Sequence, residues 1–583
     1  MKEPSPTATA PQHTSHNLTE QSEKKRNLVT LHDQNGEPLL FDQALKILAE
    51  FLMILPAQSL AQTLAEIGNI LHEESWDDAD RILREKYCSL DVCRSIFPSN
   101  DANNTHVLFN RNAIWIVNTL LTFNIEIKSR DHLNFRIFSI QNKIHKPITS
   151  LFHLNNPLPI TEIFLLANQL IIHLEREMPE FKDGQLAGTP LYYSKHRVRE
   201  DALTAIGKAK NLYNTEYFNK TLLTSLGVSV SQLSEYLFLL FSLVKAHKPA
   251  KIESDFSFRK IKQDIDKKNA AKLLDLLSID VRGTDATLSQ ISKILREDFI
   301  QDFRCRGKPF LKINKRYLCV RHDLLISTLG NFPYHYLLNS LPEEKKTELF
   351  KEFGRAFEKG YMPDISKAIL GSILGKYTYT KKPYRGGNPG DLYLSITDQS
   401  KFIGEIKSSR ENDSVKLGSK QEIVDKFIHL KGSKEKGIMQ AINDAVKLRN
   451  DLFSGEIFTG IIFYSFPQTT EFDELVRKEI EDTEKYQNYL KNGKNFPSIW
   501  LNVFNYELIL SAIQQGASLH DLLKRIAGSS PSKTGYEIVS FMKELNLEIS
   551  ISRLYHKEIE FLKNRCKEML FSDEEYTHQE PFR

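Results

Sequence analysis

The sequence predicts an α+β multidomain protein: a mainly helical N-terminal region, an α/β core built on a mixed sheet, and a helical C-terminal extension. Three observations lead there. The chain has 583 residues, too many for one hydrophobic core when single domains hold ~100–200 residues. From Phe41 to about Val244 apolar residues recur at intervals of three and four, the period of a helix with one buried face. From Asp391 the pattern changes to strand, turn and returning strand, followed by a helical stripe and a buried apolar run.

Composition narrows the class. Charged residues make up 26% and apolar residues 41% of the chain, the balance of a globular protein rather than a disordered or fibrous one. Lys and Arg total 78 against 74 Asp and Glu, so the chain is no polycation and any nucleic-acid surface must be local. The five Cys (Cys88, Cys93, Cys305, Cys319, Cys566) are scattered and form no CxxC pair, which fits a reducing compartment and a cytoplasmic location. The apolar runs Ile160–Leu174 and Leu237–Val244 are too short or too interrupted for a membrane span, so no membrane partner is expected.

Five segments follow in order. Residues 1–27, rich in Ser, Thr, Pro, Gln and charge and without the apolar core of a secretory signal, read as a disordered tail. Residues 28–250 read as a helical recognition or sensing region: Leu45, Leu48, Phe51, Leu52 and Leu55 form one stripe, and Asn112–Phe123 and Glu162–Leu174 carry others. Residues 251–335 form a connector, with a helix at Leu288–Phe299 and a hairpin around Lys312-Ile313-Asn314-Lys315. Helix followed by hairpin is the order of a winged-helix reader of DNA, and more commonly of an element that leans on the next domain. Residues 336–505 form the α/β core, with a helix through Phe350, Phe353 and Phe357, strands at Asp391–Ile396 and Lys401–Ser408, a helix at Lys436–Leu452 and a buried strand at Phe458–Ser465. Residues 506–583 turn helical again around a loop at Gly528–Ser532.

The chemistry gathers on the hairpin. Asp391 opens one strand, Thr397-Asp398-Gln399-Ser400 supplies the turn, and the return reads Phe402-Ile403-Gly404-Glu405-Ile406-Lys407. Side chains alternate along a strand, so Glu405 and Lys407 share one face and Phe402 and Ile406 the other. Two neighbouring carboxylates suit a hard cation such as Mg²⁺, with Mn²⁺ able to substitute, and such a cation activates water and absorbs charge during phosphodiester hydrolysis. An ammonium beside them can orient the attacking water and stabilise transition-state charge. Asp391 and Glu405 fit the first role, Lys407 the second.

These residues resemble the PD-(D/E)xK superfamily of restriction-endonuclease-like phosphodiesterases, with Pro389-Gly390-Asp391 in place of PD and Glu405-Ile406-Lys407 as (D/E)xK. A Gly here separates Pro from Asp. The resemblance spans Glu348 to Pro467, about a fifth of the chain. It implies an additional acid on the helix before the sheet, which Glu358 in Gly354-Arg355-Ala356-Phe357-Glu358 supplies as a further metal ligand or water holder. It also implies a Gln on the following helix, which Gln440 supplies. Pro363 is expected to end the first helix early and leave Glu358 near its C-terminal end, where the helix dipole disfavours a carboxylate.

The resemblance implies a Mg²⁺-dependent endonuclease acting on DNA, in bacterial restriction or antiphage defence by analogy, with a second copy of the chain or a defence-complex protein as a further partner. Two alternatives stand beside it: a non-catalytic nucleic-acid-binding or scaffold protein that retains the fold, and an RNA-cleaving nuclease. Another Glu-x-Lys at Glu126-Ile127-Lys128 follows a helix rather than an Asp-bearing strand and is read as a decoy. Lys416, Lys420, Lys426, Lys431, Lys434 and Lys436 are interleaved with acids and read as a solvated face, some of them placed to meet phosphates. No Walker signature occurs.

Overall fold

The computed structural model describes residues 31–32, 39–73, 76–88, 108–125, 138–140, 144–146, 159–177, 202–246, 251–253, 258–301, 307–320, 322–371, 378–379, 391–409, 423–429, 437–450, 453–466, 470–481 and 498–570. The expected tail, the Glu126-Ile127-Lys128 segment, Pro389, Gly390 and all the post-motif lysines except Lys426 lie outside the described residues. The fold is mixed α/β with several small sheets.

Helices α1 (Phe41–Ile54), α2 (Ala57–Glu73), α3 (Trp76–Tyr87), α4 (Arg111–Leu121) and α5 (Ile160–Glu177) come first. Their apolar stripes form one core that includes Leu48, Leu64, Ile116 and Leu166. Local chemistry sets the ends: the Asn110 side chain caps α4 by accepting the Ala113 N–H at 2.8 Å. Helices α6 (Ala202–Tyr213), α7 (Glu216–Ser225), α8 (Val230–Ala246) and α9 (Asp264–Leu276) follow. They share a second core with the C-terminal half of the chain. The change of core therefore falls between Leu174 and Ala202, whereas the sequence texture places it near 250. An amphipathic stripe says that a face is buried, but not against what.

The connector carries a four-stranded sheet of β1 (Lys251–Glu253), β2 (Ser278–Asp280), β3 (Phe310–Ile313) and β4 (Arg316–Cys319), in the order β1-β4-β3-β2. The expected hairpin is β3–β4, turned at Asn314 with φ +54°. Its side chains alternate between the two cores: Phe310, Tyr317 and Cys319 face one, and Leu311, Leu318 and Val320 the other. Helix α10 (Leu288–Gln301) puts Ile291 and Leu295 into the N-terminal core. The hairpin thus stands between the two cores, while α10 packs on the N-terminal core alone and keeps Ser289, Gln290, Lys293 and Arg296 exposed. Gly68 of α2 fits against the end of this hairpin because a Cβ there would lie 2.1 Å from the Val320 carbonyl oxygen.

After α11 (His322–Ser340) and α12 (Glu343–Gly354), a π-helical segment, Arg355–Tyr361, leads directly into α13 (Met362–Leu370). The chain then builds a five-stranded sheet of β5 (Thr378–Tyr379), β6 (Leu392–Thr397), β7 (Ser400–Lys407), β8 (Glu456–Phe463) and β9 (Ser498–Asn502), in that order. β5, β6 and β7 pair antiparallel, and β7, β8 and β9 parallel. Helix α14 (Ile438–Asn450) crosses from β7 to β8, and α15 (Thr470–Glu481) precedes β9. One face of the sheet, with Leu392, Leu394, Phe402, Ile406, Phe458 and Ile462, packs on the core that α16 (Val503–Gln514), α17 (Leu519–Ile526), α18 (Thr534–Glu544) and α19 (His556–Met569) complete. The other face, with Ile403, Ile457, Ile461, Phe463 and Trp500, packs on α14 and on Phe427 and Phe472.

Among the described residues no single helix is long and apolar enough to cross a membrane; the apolar pairs α1–α2 and α7–α8 are bent by 113° and 66°.

Candidate active site

The centre forms on the middle strands. In the antiparallel register Leu392 faces Gly404, which sets Asp391, one residue earlier, opposite Glu405. Phe402 and Ile406 enter one core while Glu405 and Lys407 emerge on the other face, as the alternation predicts. Gly404 and Gly460 are partners across β7 and β8. A Cβ at either would come within 2.7 Å of the Phe402 ring, so this ring lies across a floor that only glycine provides.

Lys407 Nζ lies 2.7 Å from Glu405 Oε2 and 3.4 Å from Asp391 Oδ2. Asp391 Oδ2 also accepts the Ile406 N–H at 3.1 Å, which locks the acid to the returning strand. Glu405 is fully buried, whereas the Asp391 side chain is 40% exposed. The second Glu405 oxygen, Oε1, is buried and has no hydrogen-bond partner among the described residues. An unpaired buried oxygen of this kind costs on the order of 1–3 kcal/mol and calls for an explanation beyond stability.

Burial pushes the Glu405 carboxyl up to about 8; the neighbouring Asp391 carboxylate adds to the rise and Lys407 opposes it. For Lys407, burial disfavours the ammonium, but Glu405, Asp391 and Glu358 outweigh it and hold the group above its ordinary value. The centre therefore keeps a permanent cation between acids of unequal exposure.

Glu358 belongs to the same neighbourhood. Its Oε1 accepts the Ser408 N–H at 2.6 Å, one residue beyond Lys407. The close approach needs Gly354, where a Cβ would lie 3.2 Å from Ser408 Oγ. The expectation that Pro363 ends the helix is corrected by the structure: the helical path continues through Pro363 to Leu370. Met362 N–H donates to the Phe357 carbonyl, five residues back, and this wider turn takes the chain into the proline without an α-helical break. Glu358 accordingly sits inside a long helical path and not near its C-terminal end. π turns recur at functional sites, a signal that the Phe-rich sequence around it does not announce.

Gln440 lies half-buried in the first turn of α14, its N–H on the Gly437 carbonyl. Among the described residues its side chain makes no hydrogen bond to the acids. Nor do three or more His, Cys, Asp or Glu side chains there converge into a metal-binding group. The donor set that fits a divalent cation is therefore Asp391 with the unpaired oxygen of Glu405. Mg²⁺ is commonly held by one or two carboxylates and completed by water and phosphate.

A second polar relay sits at the other end of β7. Ser400 Oγ meets His520 Nδ1 at 3.0 Å, and His520 Nε2 lies 3.4 Å from Glu456. Ser400 is fully buried, so its hydroxyl offers no face to a substrate; the relay clasps α17 to the sheet.

No protein-family model and no curated protein matches this chain.

Proposed function

We propose that this chain is a metal-dependent nuclease of the PD-(D/E)xK type that hydrolyses DNA phosphodiester bonds. The observation that carries the reading is the convergence of Asp391, Glu405 and Lys407 in one centre, with Lys407 Nζ 2.7 Å from Glu405 and 3.4 Å from Asp391. The mixed sheet, with the acid-bearing hairpin between an outer strand and a parallel pair, supports the restriction-endonuclease-like core that the motif implies.

Asp391 and Glu405 would hold Mg²⁺, or Mn²⁺ in its place, and such an ion would supply an activated water and charge neutralisation at the phosphate. Glu405 must give up its proton to take part, and Lys407 favours that loss. The Lys407 ammonium, held by both acids, orients the attacking water and faces the negative charge that builds in the transition state. Glu358 fixes the backbone at Ser408, at the mouth of the strand, where the scissile phosphate approaches. Asp391, the more exposed acid, meets the incoming ligand first. By analogy the setting is restriction or antiphage defence in a bacterial cytoplasm, with the N-terminal helices selecting the target, and a second copy or a complex partner is compatible with it.

The competing reading is a nucleic-acid-binding or scaffold protein that keeps the triad only as an ion-pair network. Incubation of the full chain with plasmid DNA and, separately, with single-stranded RNA in Mg²⁺ tests both. Cleavage of DNA that stops on adding EDTA supports the proposal, and cleavage of RNA alone transfers the mechanism to RNA. Binding of either without cleavage in Mg²⁺ or Mn²⁺ favours the scaffold.

A further inference from the structure

Three residues beyond Glu358 the π segment ends at Tyr361, whose side chain is buried. The Tyr361 hydroxyl donates to Glu507 Oε1 at 2.5 Å and meets the Tyr555 hydroxyl. Glu507, on α16, is fully buried, and its other oxygen accepts from Lys208 Nζ of α6 at 3.1 Å. Segments from α6, the π turn, α16 and the short helical turn Ser552–Tyr555 thus meet in one hydroxyl and ion-pair cluster.

A buried cluster of this kind adds little net stability, because desolvating Lys and Glu offsets most of their attraction; one use of it is to select one arrangement over its neighbours. The arrangement selected here is a helical register. Sliding a π turn by one residue rotates the side chains it passes by roughly 100°. Glu358 and Tyr361 share the same seven-residue segment. A slip that takes the Tyr361 hydroxyl off Glu507 therefore also takes the Glu358 carboxylate off the Ser408 amide. Phe357 adds a second tie: its ring stacks on Tyr361 (6.3 Å, 20°) and packs edge-on against Tyr464 (5.5 Å, 76°). The Tyr464 N–H in turn donates to the Lys407 carbonyl at 3.2 Å.

We infer that Tyr361 and Glu507 are positioning residues: they fix the π register that holds Glu358 on the Ser408 amide beside Lys407. Activity of the centre is thereby tied to α6 and α16, outside the sheet. The inference rests on the nuclease reading for what the centre does, but not for where Glu358 sits.

The test uses the full chain with Tyr361→Phe, and Tyr555→Phe as a milder variant should the first not fold. Hydrogen exchange at the Ser408 amide is read with the Ile406 amide, which donates to Asp391, as internal reference. Ser408 is expected to exchange at least about tenfold faster in Tyr361→Phe while Ile406 holds. DNA cleavage is expected to lose on the order of 10²-fold in kcat with KM little changed. The same substitution in a Glu358→Ala background should add nothing further. Unchanged Ser408 exchange in the folded variants overturns the inference, as does a loss that adds fully to that of Glu358→Ala. If Ser408 responds but the parent chain cleaves nothing, the positioning stands and the nuclease reading falls.

Discussion

Lys407 reaches Glu405 Oε2 at 2.7 Å from two residues away on the same strand face, and this contact joins the one fully buried acid of the centre to its only bridging cation among the described residues. Removing the Lys407 ammonium takes away the cation that contacts both Asp391 and Glu405. Lys407→Ala is expected to stay folded and to bind DNA, while turnover falls by at least about three orders of magnitude, because the loss falls on the transition state. Adding Asp391→Ala to it should reduce cleavage little further, since residues acting as a unit are strongly non-additive. Single-turnover cleavage of the three proteins checks this.

Glu405 makes stability depend on pH in a defined direction. Its folded carboxyl titrates at about 8, above the ordinary range, so the native state keeps a proton that the unfolded chain releases. Native stability then falls as pH rises from the ordinary carboxyl range through about 8. Glu405→Gln removes that penalty. In EDTA, Glu405→Gln should match the parent near pH 4 and exceed it at pH 8.5 by on the order of a few kcal/mol, while being inactive. Denaturant melts at the two pH values measure it; an equal gap at both would show that Glu405 is not held protonated.

The glycine floor under Phe402 makes a packing prediction. Gly460→Ala drives a methyl to within 2.7 Å of the Phe402 ring between two paired strands, an overpacking expected to destabilise by about 1–3 kcal/mol. A further Phe402→Leu substitution should recover part of the loss, and chemical denaturation of the single and double variants reads this.

The hairpin was legible because strand alternation and turn chemistry are local. Phe402 and Ile406 against Glu405 and Lys407 follow from a period of two, and Thr397–Ser400 from its turn residues. The strand Ser498–Asn502 escaped notice, since five residues running straight into α16 carry too short a pattern to separate strand from helix. Pro363 was misread because the rule that proline ends a helix assumes α register, which the π turn suspends. Periodicity in α6, α7 and α8 reveals a buried face without revealing its partner, so the core these helices share with the C-terminal half is not legible in it.

That shared core alters what truncation does. A chain beginning at Leu288 omits α6 to α9, whose Ile206, Leu237, Leu240 and Leu274 are buried in the core beneath the five-stranded sheet. It is expected to lose cooperative unfolding and aggregate. A sharp thermal transition in such a chain, seen by circular dichroism, would count against the shared core.

Glu-x-Lys at Glu405-Ile406-Lys407 follows an Asp-bearing strand, and the one at Glu126-Ile127-Lys128 does not. The most direct measurement is Mg²⁺-dependent plasmid cleavage by the parent, Lys407→Ala and Lys128→Ala proteins under one salt condition, each shown to be folded. Cleavage is expected from the parent and from Lys128→Ala, abolished in Lys407→Ala and by EDTA. Robust cleavage by Lys407→Ala with loss in Lys128→Ala would contradict that expectation.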